Sequence, residues 1–226
     1  MKITWLGQAG LLFETEDKKI LVDPYLSNSV AKLEPQNVRR VAVDERFLQI
    51  KPDVIVITHN HADHLDKETL CHYLDENSEV TVLAPKGAWQ EVRGFGGSKN
   101  NYVLFNSGTI WTELGIVFRA VKAEHSDENA IGVIISTEGK NYYITGDTLY
   151  SEKVFESLPK IKLDVVFLPI NGKGNNMNIR DATRFCERLK VRAVPLHFGM
   201  FDGLDPTTFS YENKILPVCY GEIKGI

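Results

Sequence analysis

The sequence predicts an α/β sandwich, in which sheets are covered by helices on their outer faces. Three observations support this fold class. Short apolar runs rich in β-branched residues recur along the chain, segments with helical spacing alternate with them, and no linker rich in Gly, Pro or Ser divides the 226 residues. Hydrophobic residues make up 43% and charged residues 25%, which is typical of a globular protein with a substantial core. We therefore expect a single domain over residues 1–226, made of two similar halves that meet near residue 115.

Ten segments are predicted to be strands, because each is short, apolar and bounded by turn residues such as Asp23-Pro24. Several are apolar throughout, for example residues 54–57 and 165–168, which is typical of strands that are buried on both faces. The ten predicted strands are 2–6, 10–15, 19–23, 54–57, 80–84, 116–122, 131–136, 142–145, 164–168 and 192–196.

Two segments between these strands are predicted to be helices. Residues 66–76 begin at Asp66, and residues 179–190 follow Asn178; both are favoured N-cap residues. Each helix carries a cysteine among its apolar residues, so we expect Cys71 and Cys186 to be buried thiols. The three cysteines include no CxxC pair, which argues against a disulfide framework.

Charge and hydropathy exclude several classes of function. The net charge is −4, and the longest basic signal is Arg39-Arg40, so a nucleic-acid partner is not expected. No apolar run approaches the ~20 residues that cross a membrane. The first residues form a predicted strand and not a signal peptide. We therefore expect a cytoplasmic protein with a small-molecule substrate and no membrane partner.

The strongest chemical signal is the segment from Thr58 to Asp66, which directly follows a buried strand. It contains His59, His61, Asp63 and His64. Imidazole suits zinc, iron and manganese, and carboxylate adds tolerance for harder ions. In an extended segment, alternate residues point to opposite sides, so the first two histidines could share one ion while the other two residues face a second ion. A histidine-rich surface loop without chemistry is the alternative, and the position after a strand disfavours it.

Three further candidate ligands follow predicted strands in the second half of the chain. They are His125, Asp147 and His197. Ligands of α/β proteins gather at the carboxyl ends of strands, so the repeated placement predicts that these side chains converge. A separate structural role for each residue is the alternative. The sixth histidine, His72, is expected to be a surface residue.

The order HxHxDH, His, Asp, His resembles the metallo-β-lactamase fold superfamily, and the likeness spans nearly the whole chain. It includes the segment Leu21-Val22-Asp23-Pro24. Four segments resemble those of a narrower group, the proteins similar to L-ascorbate-6-phosphate lactonase. They are Ile3-Thr4-Trp5-Leu6-Gly7-Gln8-Ala9-Gly10, Arg39-Arg40, Gly174-Asn175-Asn176-Met177 and Leu196-His197-Phe198-Gly199. The resemblance implies a four-layer αβ/βα sandwich with a two-metal site along one edge. The narrower likeness also favours a homo-oligomer.

The resemblance assigns a role to each candidate ligand. It implies two divalent ions per chain, Zn²⁺ or Mn²⁺: five histidines favour zinc by ligand softness, and the narrower likeness implies manganese. Asp23 is expected to orient a ligand histidine instead of binding metal, and an ordinary turn aspartate is the alternative. The implied ligands are His59, His61 and His125 for one ion, Asp63, His64 and His197 for the other, and Asp147 as a bridge between them.

The implied chemistry is hydrolysis by a hydroxide held between the two metal ions, where the pKa of water falls from about 15.7 toward 7. We expect it to cleave a lactone or ester of a small, sugar-like substrate, with or without a phosphate group. The predicted catalytic residues are Asp63, which could orient the hydroxide and relay its proton, and Asp147, the bridging ligand. The alternatives are a phosphodiesterase that acts on RNA ends or phospholipid head groups, and a metal-bearing scaffold without enzymatic activity.

Two sets of residues are candidates for substrate contacts. Asn171, Asn175 and Asn176 could donate hydrogen bonds to a sugar or phosphate, or could belong to an ordinary capping loop. Arg39 and Arg40 could clamp a phosphate, or could be solvated surface arginines.

Overall fold

A computed structural model describes residues 1–226 and places twelve strands in two sheets of six. In each sheet the strands lie side by side in chain order. The first sheet contains β1 (Lys2–Gly7), β2 (Gly10–Glu14), β3 (Lys19–Val22), β4 (Val54–Val56), β5 (Thr81–Ala84) and β6 (Asn101–Leu104). The second sheet contains β7 (Ile110–Glu113), β8 (Ile116–Lys122), β9 (Ile131–Thr137), β10 (Lys140–Ile144), β11 (Val165–Pro169) and β12 (Arg192–Leu196).

Both sheets combine an antiparallel part with a parallel part. In the first sheet, β1, β2 and β3 are antiparallel, and β3 to β6 are parallel. In the second sheet, β7 to β10 are antiparallel, and β10 to β12 are parallel. The halves therefore meet between residues 104 and 110 and not near 115, because β7 pairs with β8 and belongs to the second sheet.

Five α-helices connect the strands. Asp66 accepts hydrogen bonds from the main-chain nitrogens of Glu68 and Thr69, and Asn178 accepts one from that of Asp181, as expected of N-caps. The helices show no stretch that is both long and apolar enough to cross a membrane. Their bounds are α1 (Ser29–Leu33), α2 (Lys67–Leu70), α3 (Lys86–Val92), α4 (Glu152–Ser157) and α5 (Ile179–Leu189), with 3₁₀ helices at Glu45–Gln49 and Pro206–Thr208.

The two faces of the first sheet pack into two separate cores, because side chains of a strand alternate between its faces. In β3, Ile20 and Val22 pack between the two sheets. Leu21, between them, packs on the outer face with Leu70 of α2 and Ala88 of α3.

The second sheet is covered in the same way. Phe167 of β11 packs against Phe13 of β2 between the sheets, with ring centroids 5.9 Å apart, and Tyr143 of β10 packs against Phe185 of α5 on the outer face, with ring centroids 6.4 Å apart. The layers are thus helix, sheet, sheet and helix, which confirms the predicted αβ/βα sandwich.

The predicted helix over residues 66–76 is wrong in length, and its cysteine, Cys71, is not buried. The α-helix ends at Leu70, and turns continue the chain. Tyr73 and Leu74 follow Leu70 by three and four residues, so they remain buried on its side, whereas Cys71 points away from the core and is exposed. Cys186 is buried as predicted, and all three cysteines are free.

Candidate metal centre

Each predicted ligand or run of ligands begins within three residues after the end of a strand. His59 follows β4, His125 follows β8, Asp147 follows β10 and His197 follows β12. Two of these strand ends turn through the left-handed region, with φ of +61° at Gly146 and +59° at His197. The sharp turns direct side chains from both sheets to one edge of the sandwich.

The segment that carries four of the predicted ligands is a turn and not an extended strand. The main-chain oxygen of His61 accepts hydrogen bonds from the nitrogens of His64, at 2.9 Å, and Leu65, at 2.8 Å. The alternation expected of an extended chain is therefore absent. The turn instead brings the four side chains close together, because residues separated by three or four positions in a turn lie on the same side.

The seven predicted ligands gather in three overlapping groups, and within each group the candidate ligand atoms lie within 4.8 Å of one another. The third group shares a histidine with each of the others, which places its aspartate between them. The arrangement agrees with the assignment implied by the resemblance, and the metal-binding roles stay predictions. The groups are His59, His61 and His125; Asp63, His64 and His197; and His59, His64 and Asp147.

Two buried histidine nitrogens indicate that this donor set fits metal ions. Nδ1 of His59 lies 3.0 Å from Oγ1 of Thr58, and Nδ1 of His64 lies 2.8 Å from Oδ2 of Asp23. Nε2 of each ring is buried and has no hydrogen-bond partner in the protein. A buried unpaired polar atom costs about 1–3 kcal/mol, and coordination of a cation by Nε2 removes that cost.

The aspartates of the centre remain ionised and require positive charge nearby. Burial alone would raise the pKa of Asp147, but His197 and His64 hold it well below its ordinary value. Burial alone would lower the pKa of His197, but Asp147 and Asp63 raise it to about 10. Buried carboxylates need a compensating cation, which protonated His197 supplies in the metal-free protein; a divalent ion bound there would displace this proton and supply the charge instead.

The group of His59, His61 and His125 contains no carboxylate, so its electrostatics differ from those of the rest of the centre. Burial lowers the pKa of His59 well below its ordinary value, and the neighbouring His64 lowers it further. Burial also lowers the pKa of His125. These imidazoles are neutral near neutral pH, which is the form that binds metal ions.

Asp23 makes the contact expected of a residue that orients a ligand histidine. Its carboxylate is fully buried, and it accepts hydrogen bonds from the main-chain nitrogen and the hydroxyl of Thr58, at 2.8 and 2.6 Å. The same carboxylate lies 2.8 Å from Nδ1 of His64, which leaves Nε2 to face the centre. Its φ of +43° is unfavourable for a residue other than glycine and costs about 1–3 kcal/mol.

Two of the candidate asparagines contact predicted ligands directly. Nδ2 of Asn176 donates to Oδ2 of Asp147 at 2.8 Å. Nδ2 of Asn171 lies 2.9 Å from Nδ1 of His197. These amides therefore support the ligands, and both also line the cleft above the centre.

The other candidates for substrate contact lie outside the cleft lining. Asn175 contributes its main-chain oxygen, 3.3 Å from Nδ1 of His125. Arg39 donates to the main-chain oxygen of Tyr25 and the hydroxyl of Tyr220, both at 2.8 Å, so the protein itself uses its guanidinium. Arg40 is exposed, as the surface alternative anticipated. His72 is exposed too, in the turn after α2.

A cleft of about 770 Å³ opens above the centre, and most of the residues that line it are polar. The walls come from the region of α1, the start of α2 and the loop before α5. Its basic side chains are Lys67 and Lys173. Its apolar side chains are Val30, Leu33, Ala62, Leu65 and Phe201, and its acidic side chains other than the predicted ligands are Glu34, Asp66, Glu68, Glu91 and Asp202.

The sequence interpretation assigned no site role to Gln8, which the structure places among the predicted ligands. Its side-chain nitrogen lies 2.8 Å from Oδ2 of Asp63. The available signal was its position, because Gln8 is a polar residue directly after a buried strand, as the predicted ligands are.

Comparisons with known proteins place the chain in a family. A family model described as a beta-lactamase superfamily domain matches residues 2–197. A UPF0173 metal-dependent hydrolase of Methanosarcina barkeri is 31% identical, over 92% of this chain and 89% of the relative. A UPF0173 protein of Pyrococcus furiosus is 33% identical, over 94% of this chain and 90% of the relative.

The fold is also found in solved structures. The crystal structure of an isothiocyanate hydrolase from Delia radicum gut bacteria is similar with a TM-score of 0.79 and 20% identity, over 99% of this chain and 98% of that chain. At this identity the likeness extends to the fold alone. The family model and the two relatives show the family as well as the fold. The chain belongs to the beta-lactamase superfamily, within the UPF0173 family of metal-dependent hydrolases.

Proposed function

We propose that the chain is a hydrolase with two divalent metal ions, Zn²⁺ or Mn²⁺, that cleaves a lactone or ester of a small, sugar-like substrate. The substrate carries at most one phosphate group. The proposal goes beyond the family assignment in naming the number of ions, the bond and the class of substrate.

The observation that carries the proposal is that four of the predicted ligands, His61, Asp63, Asp147 and His197, line a cleft whose residues are mostly polar. A cleft of about 770 Å³ is of the size that encloses a small molecule. Its many polar side chains suit hydroxyl groups. The acidic side chains of the walls outnumber the two lysines, which disfavours a polyanion such as RNA. The two lysines are sufficient to bind a single phosphate group.

The donor set supports two ions of unequal character. His59, His61 and His125 would hold one ion through three imidazoles, and zinc suits such a site. Asp63, His64 and His197 would hold the other, with Asp147 between the two ions. When bound, the ions supply Lewis acidity, which makes water acidic near neutral pH and polarises the substrate carbonyl.

Asp63 is the residue best placed to carry a proton. Its Oδ2 accepts a hydrogen bond from Gln8, Oδ1 has no hydrogen bond to the protein, and the side chain lines the cleft. In the proposed reaction, Asp63 takes a proton from the attacking water as the new C–O bond forms. It then delivers the proton to the leaving oxygen as the acyl C–O bond breaks.

The test is a hydrolysis panel on protein loaded separately with Zn²⁺ and with Mn²⁺. The panel contains sugar-phosphate lactones, simple lactones and a generic phosphodiester. The variants are His61→Ala, which removes a predicted ligand, His72→Ala, which removes an exposed histidine away from the centre, and Asp63→Asn. Metal content is measured for each variant, so that loss of an ion is distinguished from loss of the proton carrier.

We expect lactone hydrolysis by the wild type and by His72→Ala, and its loss in His61→Ala. Asp63→Asn should lower kcat by about 10²–10⁴-fold even where both ions are retained. Turnover of the phosphodiester without turnover of any lactone would overturn the proposed substrate class. Full turnover by Asp63→Asn with both ions bound would show that Asp63 does not carry the proton.

A further inference from the structure

Gln8 is a buried carboxamide that contacts two predicted ligands at once. Its Nε2 lies 2.8 Å from Oδ2 of Asp63, and 3.1 and 3.2 Å from the two ring nitrogens of His197. The residue is 2% exposed, yet it lines the cleft. Asp63 belongs to the turn after β4, and His197 follows β12, so Gln8 joins ligands that come from the two different sheets.

The backbone of Gln8 is held in a conformation that favours glycine. Its φ is +49°, in the left-handed region that residues other than glycine rarely adopt. Its carbonyl accepts hydrogen bonds from the main-chain nitrogen of His197, at 2.9 Å, and from the indole nitrogen of Trp5, at 3.0 Å. Glycine would adopt this backbone without strain, so the chain carries the strain here together with a side chain that contacts two predicted ligands.

Gln8 does not contact the group of His59, His61 and His125 on the other side of the centre. Nε2 of His125 and Nδ1 of His61 lie 3.2 Å apart, and the other ring nitrogen of His61 lies 3.5 Å from the hydroxyl of Ser126. No carboxamide side chain contacts these two rings. An effect of Gln8 should therefore be confined to one of the two metal positions.

We propose that Gln8 is a positioning residue that preorganises Asp63 and His197 for their metal ion and sets the affinity of that position alone. Donation to Oδ2 fixes the rotation of the Asp63 carboxylate before the ion arrives. A neutral amide achieves this without adding charge to a centre that already contains buried carboxylates. The inference rests on the proposed function, because it requires a metal ion at Asp63, His64 and His197.

The experiment measures metal affinity in Gln8→Gly, because glycine keeps the left-handed backbone without strain while it deletes the amide. The same substitution is made in the His61→Ala background, where one metal position is already impaired. Gln90→Ala, an exposed glutamine on α3, is the matched control. Competition with a chromophoric chelator gives the Zn²⁺ and Mn²⁺ affinities, and the melting temperature of the metal-free protein is measured in parallel.

We expect Gln8→Gly to retain one ion at wild-type affinity and to bind the other about 10–100-fold more weakly. In the His61→Ala background, the remaining tight ion should weaken by the same factor. The melting temperature of the metal-free protein should not fall, and Gln90→Ala should match the wild type throughout.

Wild-type affinity for both ions in Gln8→Gly would overturn the inference. A lower melting temperature of the metal-free variant with unchanged affinities would overturn it as well, since that is the result of a purely structural role. A wild type that binds two ions but hydrolyses nothing in the panel would contradict only the proposed function. A wild type that binds no ion would contradict both.

Discussion

Asp23 satisfies three donors with one carboxylate: two from Thr58 and Nδ1 of His64. In Asp23→Asn, one oxygen becomes an NH₂ group, which then faces at least one of these donors. Metal affinity should fall by about 10–100-fold, because His64 loses the partner that fixes its orientation and its basicity. The free energy of unfolding of the metal-free protein should fall by about 1–3 kcal/mol, because a buried donor is left unpaired.

The control for this prediction is Asp53→Asn. Asp53 accepts a hydrogen bond from the main-chain nitrogen of Lys19, at the opposite end of the strand that leads to Asp23. Equilibrium dialysis and chemical denaturation are carried out on both variants. Equal metal affinities in the two variants would show that Asp23 has no special role toward His64.

At the scale of elements, the turns after the strands decide where the ligands point. Gly146 lies two residues after the end of β10, has a φ of +61° and directly precedes Asp147. A Cβ atom at this position would lie 2.6 Å from the main-chain oxygen of Ile131. Gly146→Ala should therefore lower the free energy of unfolding by about 2 kcal/mol or more and should also lower the metal content, because Asp147 is displaced with the turn.

Gly139→Ala separates the two causes of that effect. Gly139 has a φ of +74° in the turn between β9 and β10, but a Cβ there would meet no atom within 4 Å. This control should lose only the conformational contribution, about 1–2 kcal/mol, and should keep its metal content. If both alanine variants lose metal equally, the clash at Gly146 is not what controls the position of Asp147.

On the scale of the whole molecule, the centre joins the two sheets. Its first four predicted ligands follow β4 of the first sheet, and the other three follow strands of the second. Metal ions bound at this junction would therefore stabilise the packing of one sheet on the other, and only the folded chain brings the two sets of ligands together.

Removal of metal should accordingly lower the melting temperature. An ion present at 100 times its dissociation constant stabilises the folded state by about 2.7 kcal/mol, which corresponds to about 5–10 °C for a chain of this size. Calorimetry before and after chelation measures the change, and readdition of Zn²⁺ or Mn²⁺ should restore it. His61→Ala should show a smaller shift on chelation than the wild type. An unchanged melting temperature of the chelated wild type would contradict a structural contribution of metal.

Local sequence determined the central strands, the caps at Asp66 and Asn178, and the choice of candidate ligands. Strands buried on both faces must be apolar along their whole length, so their signal does not depend on partners far away in the chain. A cap depends on one side chain and the nitrogens of the next turn. HxHxDH combines imidazoles and a carboxylate within six residues, and their capacity to bind metal ions can be inferred without a structure.

The tertiary structure alone decided what depends on distant partners. The edge strands β6 and β7 are partly exposed and lack continuous apolar runs, so their pairing with β5 and β8 defines them. Arg39 appeared free to bind phosphate until the fold placed Tyr25 and Tyr220 beside it. Gln8 contacts Asp63 and His197, which lie 55 and 189 residues away, and no local pattern encodes contacts across such separations.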